Sequence, residues 1–124
     1  MTPHPLPPLD ARWGVIAESG DRRISFDRAT VRPAGGRVVR VWIRNDYAAP
    51  DRRDGMTFDR TMDHIEYDCE QLRFRIVAST YHLGDQVVGN DSPAQASDWV
   101  SIVPETVGED IITAVCATQG DRRA

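Results

Sequence analysis

The sequence predicts an α+β domain, an antiparallel sheet of about six strands with one C-terminal helix packed on it. Short apolar runs between Trp13 and Asp91 alternate with polar side chains, the period of a strand with one buried face. One late stretch, opened by Thr106, changes to helical spacing and carries a single apolar stripe. A sheet with one core face needs a layer to cover it, and that helix is the candidate.

Residues 1–12 form a Pro-rich tether, since four of the eight prolines fall between residues 2 and 8. The single domain runs from 13 to 120, with a tail at 121–124. WGVIAE reads as a first strand, SGDRR as a turn and ISFD as its hairpin partner. A turn from Asp27 to Val31 ends at Pro33, and Gly35-Gly36 makes another. Arg37 to Tyr47 is the clearest strand. Val39, Val41, Ile43 and Tyr47 share a core face there, while Arg40, Trp42, Arg44 and Asp46 face largely to solvent.

Residues 48–60 hold Pro50, Gly55 and six charged side chains, the composition of a long exposed loop. Two strands follow, Thr61 to Cys69 and Leu72 to Leu83, joined by a tight Glu70-Gln71 turn. In the second, Leu72, Phe74, Ile76 and Ala78 alternate with Arg73, Arg75 and Ser79. As hairpin neighbours these strands set Arg73 and Arg75 opposite Glu66 and Asp68, as exposed pairs that mark register. VVGND reads as a short edge strand and SPAQASD as a loop leading to Trp99. Thr106 and Glu109 form a capping-box pair, with Ile111, Ile112, Val115 and Cys116 on the buried stripe and Gly120 as the stop.

Composition excludes several functions. The formal charge is -4 and the pI about 5.3, without the dense basic face that phosphate binding requires, so nucleic acid is not an expected partner. Lysine is absent, which removes Schiff-base and lysine-base chemistry. No apolar run approaches the roughly 18 residues of a membrane span. The opening MTPHPLPPLD has neither the basic start nor the apolar stretch of a signal peptide. The chain is therefore either cytoplasmic or the mature form of an exported protein.

No catalytic or metal-binding pattern emerges, and no cofactor is expected. His4, His64 and His82 are dispersed, and Cys69 and Cys116 lie far outside zinc-type spacing. Asp63 and His64 are neighbours on a strand and so point to opposite faces, the reverse of a dyad. Nucleophile elbows, zinc helices and phosphate-binding glycine loops are missing from the sequence. Trp42 on the polar face is either a binding platform or packed under a neighbouring strand or dimer mate.

The opening tryptophan strand with SFD, the run VRVWIRNDY, EYDC leading into RFR, and the ending SIVPETVGEDIITAVCATQG occur in an order that resembles the surface-adhesin protein E family of bacterial envelope proteins. The resemblance spans roughly residues 13 to 120. It implies a sheet of about six strands with a C-terminal helix fixed by a disulfide, here Cys69 to Cys116. It also implies a protein-binding role, since the family includes an outer-membrane lipoprotein that contacts extracellular-matrix and serum proteins through exposed, partly basic loops and can dimerise. This chain lacks lysine and a lipid-bearing cysteine, and its 48–60 segment aligns only loosely.

The expectation is a non-catalytic exported binding domain, periplasmic or at the cell surface, with vitronectin or laminin as example partners. Arg52, Arg53 and Arg60, with Tyr47 at the base of the loop, are the candidate contacts. The alternatives are a cell-envelope structural or small-ligand-binding domain with no host partner, and an enzyme whose site is assembled from Asp, Glu and Arg.

Overall fold

The computed structural model describes residues 4–120. In chain order its elements are β1 Trp13–Glu18, β2 Arg22–Asp27, β3 Arg32–Pro33, β4 Val38–Arg53, β5 Met56–Asp68, β6 Arg73–Leu83, β7 Gln86–Asp91, β8 Val100–Ser101 and α1 Val107–Gly120. Six strands form one antiparallel path, β1-β2-β4-β5-β6-β7, and the two-residue strands β3 and β8 pair with β4 and β6. This is the predicted α+β arrangement. The predicted tail lies outside the described residues, and the predicted stop at Gly120 lies at their limit.

The turns explain the hairpins. Ser19 Oγ accepts the Asp21 and Arg22 N–H groups, both at 3.3 Å, between β1 and β2. Asp68 Oδ1 accepts from Glu70 N at 3.1 Å and Gln71 N at 3.0 Å between β5 and β6. At the tip between β4 and β5, Asp54 (φ 52°) and Gly55 (φ 80°) both lie in the left-handed region, as a two-residue hairpin turn requires.

That tip corrects the expected loop at 48–60. β4 and β5 continue through it, with Asp51 opposite Phe58, Arg52 opposite Thr57 and Arg53 opposite Met56. A register break between Asp46 and Asp51 takes up the extra residues, including Pro50, which has no N–H for a ladder. Phe58 is fully buried, edge-on to Tyr47 and Tyr81. The segment is a long hairpin with a packed base.

The core lies between one sheet face and the helix. Ile24 and Phe26 of β2, Val39, Val41 and Ile43 of β4, and Ile65 and Tyr67 of β5 meet Ile111, Ile112 and Val115 of α1. The Cys69–Cys116 disulfide, with an S–S distance of 2.04 Å, ties the helix to the end of β5 as the family resemblance implied. Two local expectations need correction. In β6 the pairing runs Ile65 to Ile76 and His64 to Ala78, so Val77 is an extra residue and Ala78 turns to the face opposite Ile76. At the helix start, Thr106 Oγ1 donates to the Val103 carbonyl at 2.6 Å, and Glu109 Oε1 accepts from Glu105 N at 3.3 Å, one residue before the expected cap.

The N-terminal segment has no helix or strand in its described part, yet it lies against the domain. His4 N donates to Ala48 O at 2.7 Å, Arg23 donates to Pro7 O, and Arg28 donates to Ala11 O at 2.8 Å.

Candidate functional site

The sheet face away from the helix is built from alternating positions of five strands. In-register pairing sets Arg40, Glu66 and Arg75 in one row across β4, β5 and β6. Glu66 Oε2 accepts from Arg40 Nε at 3.0 Å and its terminal nitrogen at 2.6 Å, while Oε1 accepts from Arg75 Nε at 2.7 Å. Arg73 Nε donates to Asp68 Oδ2 at 3.1 Å. Further along, Asp46 is held by Arg44 at 2.9 Å and Arg23 at 3.3 Å, with Arg60 at 3.7 Å. Arg12 reaches over Asp27 at 2.5 Å.

Burial separates the partners. The side chain of Glu66 is 4% exposed and that of Asp46 1%, against 45% for Arg40 and 36% for Arg75. At Glu66 solvent therefore meets guanidinium groups with the carboxylate beneath them, whereas Arg23 and Arg44 are enclosed together with Asp46. The Arg73 and Arg75 pairs occur as the alternation predicted, but their carboxylates are buried, contrary to the expectation of fully exposed pairs. Likewise Asp46, expected on a solvated face, is enclosed. On a chain of net charge -4, seven arginines meet five carboxylates on this face, Glu18 beside Arg23 included, so it is locally positive.

Aromatic rings lie among the arginines. Trp42 stacks on His64 with centroids 4.3 Å apart and planes 1° from parallel, which places the indole against the neighbouring strand. Arg44 lies over Trp13 at 5.3 Å, and Arg73 and Arg75 lie over Trp99 at 4.6 and 4.4 Å. Above the Trp42–His64 stack is an open groove of about 430 Å³ edged by Arg32, Arg40 and Pro33.

Electrostatics fix the charge states. Burial would raise the Glu66 carboxyl, but hydrogen bonds from Arg40 and Arg75 outweigh it and hold it below the ordinary value. Asp27 is likewise pushed up by burial and brought below its ordinary value by Arg12, Thr30 and the Ala29 N–H. For Asp68, burial is outweighed by the Gln71 N–H, Arg73 and the Glu70 N–H. His64 is lowered by burial and by Arg40 against the opposing pull of Glu66, which favours neutral imidazole.

A pH dependence follows. Groups with depressed folded-state values stabilise the fold above their unfolded values and lose that contribution as pH falls. Stability should decline first below about pH 6.5, as unfolded His64 and His82 gain protons that the folded state resists, and again below about pH 4, as Asp27, Glu66 and Asp68 protonate. Urea titrations between pH 8 and pH 3 check this. A flat profile down to pH 4 would remove the contribution of the two histidines.

The four sequence-predicted contacts do not form one cluster. Arg52 and Arg53 are exposed near the hairpin tip, Arg53 lying 5.4 Å over the Phe58 ring. Tyr47 is half-buried against Phe58, with Arg22 over its ring at 5.4 Å. Arg60 packs beside Asp46 and donates to Gly84 O at 3.2 Å. The residues that sequence reasoning missed are Arg40, Arg75 and Trp99. The clue lay in the cross-strand pairing of Arg73 and Arg75 with acids, but periodicity carries no information on which partner is buried.

The geometry offers little for acid–base chemistry. Asp63 lies beside Ile43 and Ile65 on the core side, away from His64, and His82 Nε2 contacts the Thr80 hydroxyl at 2.9 Å. Among the described residues, no group of three or more His, Cys, Asp or Glu side chains is arranged to hold a metal, and no helix is long and apolar enough to cross a membrane.

In fold, the chain is similar to Haemophilus influenzae protein E, with a TM-score of 0.70 at 12% identity over 98% of this chain and 96% of that one. A second crystal form of that protein matches with a TM-score of 0.67 at 11% identity, covering 91% of this chain and 93% of that one. Protein E from non-typeable Haemophilus influenzae gives 0.63 at 15% identity over 93% and 83% of the two chains. Such identities show a shared fold alone. No curated protein matches the sequence. The family model for surface-adhesin protein E matches residues 13–117, nearly the whole folded part. The chain therefore belongs to the surface-adhesin protein E family, a family of exported or surface adhesins and not of enzymes.

Proposed function

We propose that this chain is a non-catalytic exported domain, held in the periplasm or at the cell surface, whose arginine- and tryptophan-rich sheet face contacts an acidic surface of a protein partner. The observation that carries this reading is the layering of exposed guanidinium groups over buried carboxylates. Arginine and tryptophan are the residues most enriched among interface anchors, and the buried acids hold the guanidiniums in place before contact. Arg60 extends this face past Asp46, and Arg52 and Arg53 add a second contact at the hairpin tip, with Tyr47 bracing its base.

The test is binding to immobilised vitronectin and laminin over a range of salt concentrations. The parent should bind, and affinity should fall as salt rises, because charged rim contacts are screened. Arg40→Gln with Trp99→Ala should weaken binding at least tenfold when compared at a temperature where both proteins are fully folded, while an Arg52, Arg53 and Arg60 triple alanine variant measures the hairpin share. Unchanged binding by the Arg40 and Trp99 variant would remove this face from the account. Failure of the parent to bind either host protein would favour a bacterial-envelope partner on the same face.

A further inference from the structure

On the helix side of the sheet, next to the start of α1, is a cleft of about 190 Å³. Its walls are mainly apolar, with Ile24, Ile43, Ile65, Phe74 and Ile111, while Arg22 and Asn45 line one edge and a single acid lies among the isoleucines. Asp63 sits opposite Ile43 and Ser79 in the strand register, so its carboxylate faces the core side where its neighbours Ile65 and Tyr67 point. Every carboxylate buried on the other face has an arginine upon it, but Asp63 forms no ion pair among the described residues. The nearest candidate is occupied: Arg22 donates to Asn45 Oδ1 at 2.7 Å and lies over the Tyr47 ring.

A mainly apolar wall whose carboxylate has no ion pair suits a hydrocarbon stem that ends in a cation. We propose that this cleft receives the side chain of a lysine from a protein partner, its aliphatic stem along the isoleucines and its ammonium on Asp63. A partly buried ammonium is tolerated only when paired, and here each group supplies what the other lacks. This chain contains no lysine, so another copy of it cannot supply that side chain. The positive end of α1 borders the cleft at Val107 and Gly108, and Glu109 and Asp110 in the first turn offset it. Burial also pushes the Asp63 carboxyl above its ordinary value, against a hydrogen bond from Ser79 and the fields of Arg53 and Arg22, as expected of a buried carboxylate that lacks an ion pair.

The inference rests on the reading of the chain as a protein binder but uses the opposite side of the sheet. The test is NMR titration of the full chain with Nα-acetyl-lysine methylamide and with its Nε-acetylated form, which keeps the stem and removes the charge. The charged probe should bind at least tenfold more tightly, with shifts at Ile43, Ile65 and Ile111. Asp63→Asn should abolish that difference and raise the melting temperature. If that variant fails to fold, Asp63→Ser serves in its place. Equal binding of the two probes, or discrimination that persists without the carboxylate, would overturn the site. Vitronectin or laminin binding that persists while neither probe binds would overturn it and leave the arginine face standing.

Discussion

Reducing the Cys69–Cys116 bond should destabilise the protein by about 4 kcal/mol, because the bond closes a loop of sequence separation 47 and restricts the unfolded chain accordingly. The helix has its own reason to depend on it. α1 lays one short apolar stripe, Ile111, Ile112 and Val115, on the sheet, and Cys116 lies one residue beyond the fully buried Val115. Without the crosslink the helix keeps that stripe but loses its fixed end, so helical signal should be lost before the sheet signal. A shift of this size should lower the melting temperature by roughly 15 °C or more. Paired urea titrations with and without a phosphine reductant, and of the Cys69→Ser, Cys116→Ser double variant, measure it. A change below 1 kcal/mol would mean that packing alone fixes the helix.

Asp46→Ala should have a comparable effect, about 3–5 kcal/mol, because it removes the carboxylate shared by the enclosed Arg23 and Arg44 and leaves Arg23 only the more distant, exposed Glu18 as a counter-charge. Arg23 is the critical partner, its side chain only 8% exposed. Glu66→Ala should cost less, since Arg40 and Arg75 are exposed enough to be solvated by water once released. Urea unfolding of the two variants side by side gives the comparison. Equal effects would contradict the burial difference between the two clusters.

The sheet was legible because its alternation is regular where its core is regular. Val39, Val41 and Ile43 announce β4, and Ile65 with Tyr67 announces β5, because period two survives wherever one face is dry. It failed at three places, each with a local cause. The strands on either side of Asp54-Gly55 carry the charged, Pro- and Gly-containing composition of a loop, so the hairpin read as one. Val77 breaks the alternation by one residue, and everything after it reads on the wrong face. Thr106 still caps the helix through its carbonyl, but the capping box does not form because the Thr106 hydroxyl donates to the Val103 carbonyl and Glu109 accepts from Glu105 N.

The candidate face was half legible. Sequence alternation correctly opposed Arg73 and Arg75 to Asp68 and Glu66. It could not bring Arg40 from 26 positions away onto the same carboxylate, nor lay Trp99 beside two guanidiniums, since both depend on which strands become neighbours. The same limit hid the enclosure of Asp46, whose partners Arg23 and Arg60 come from other strands.

The most direct test of the binding face is a footprint of the bound state, by amide hydrogen exchange of the protein alone and in complex with whichever of vitronectin or laminin it binds. Protection is predicted along β4 to β6 around Arg40, Trp42, His64 and Arg75, with the Trp99 segment joining it and the outer surface of α1 unchanged. Protection confined to α1 or to the Arg52–Arg53 tip, with Arg40 and Trp99 exchanging as in the free protein, would contradict the assignment of partner binding to the arginine and tryptophan face.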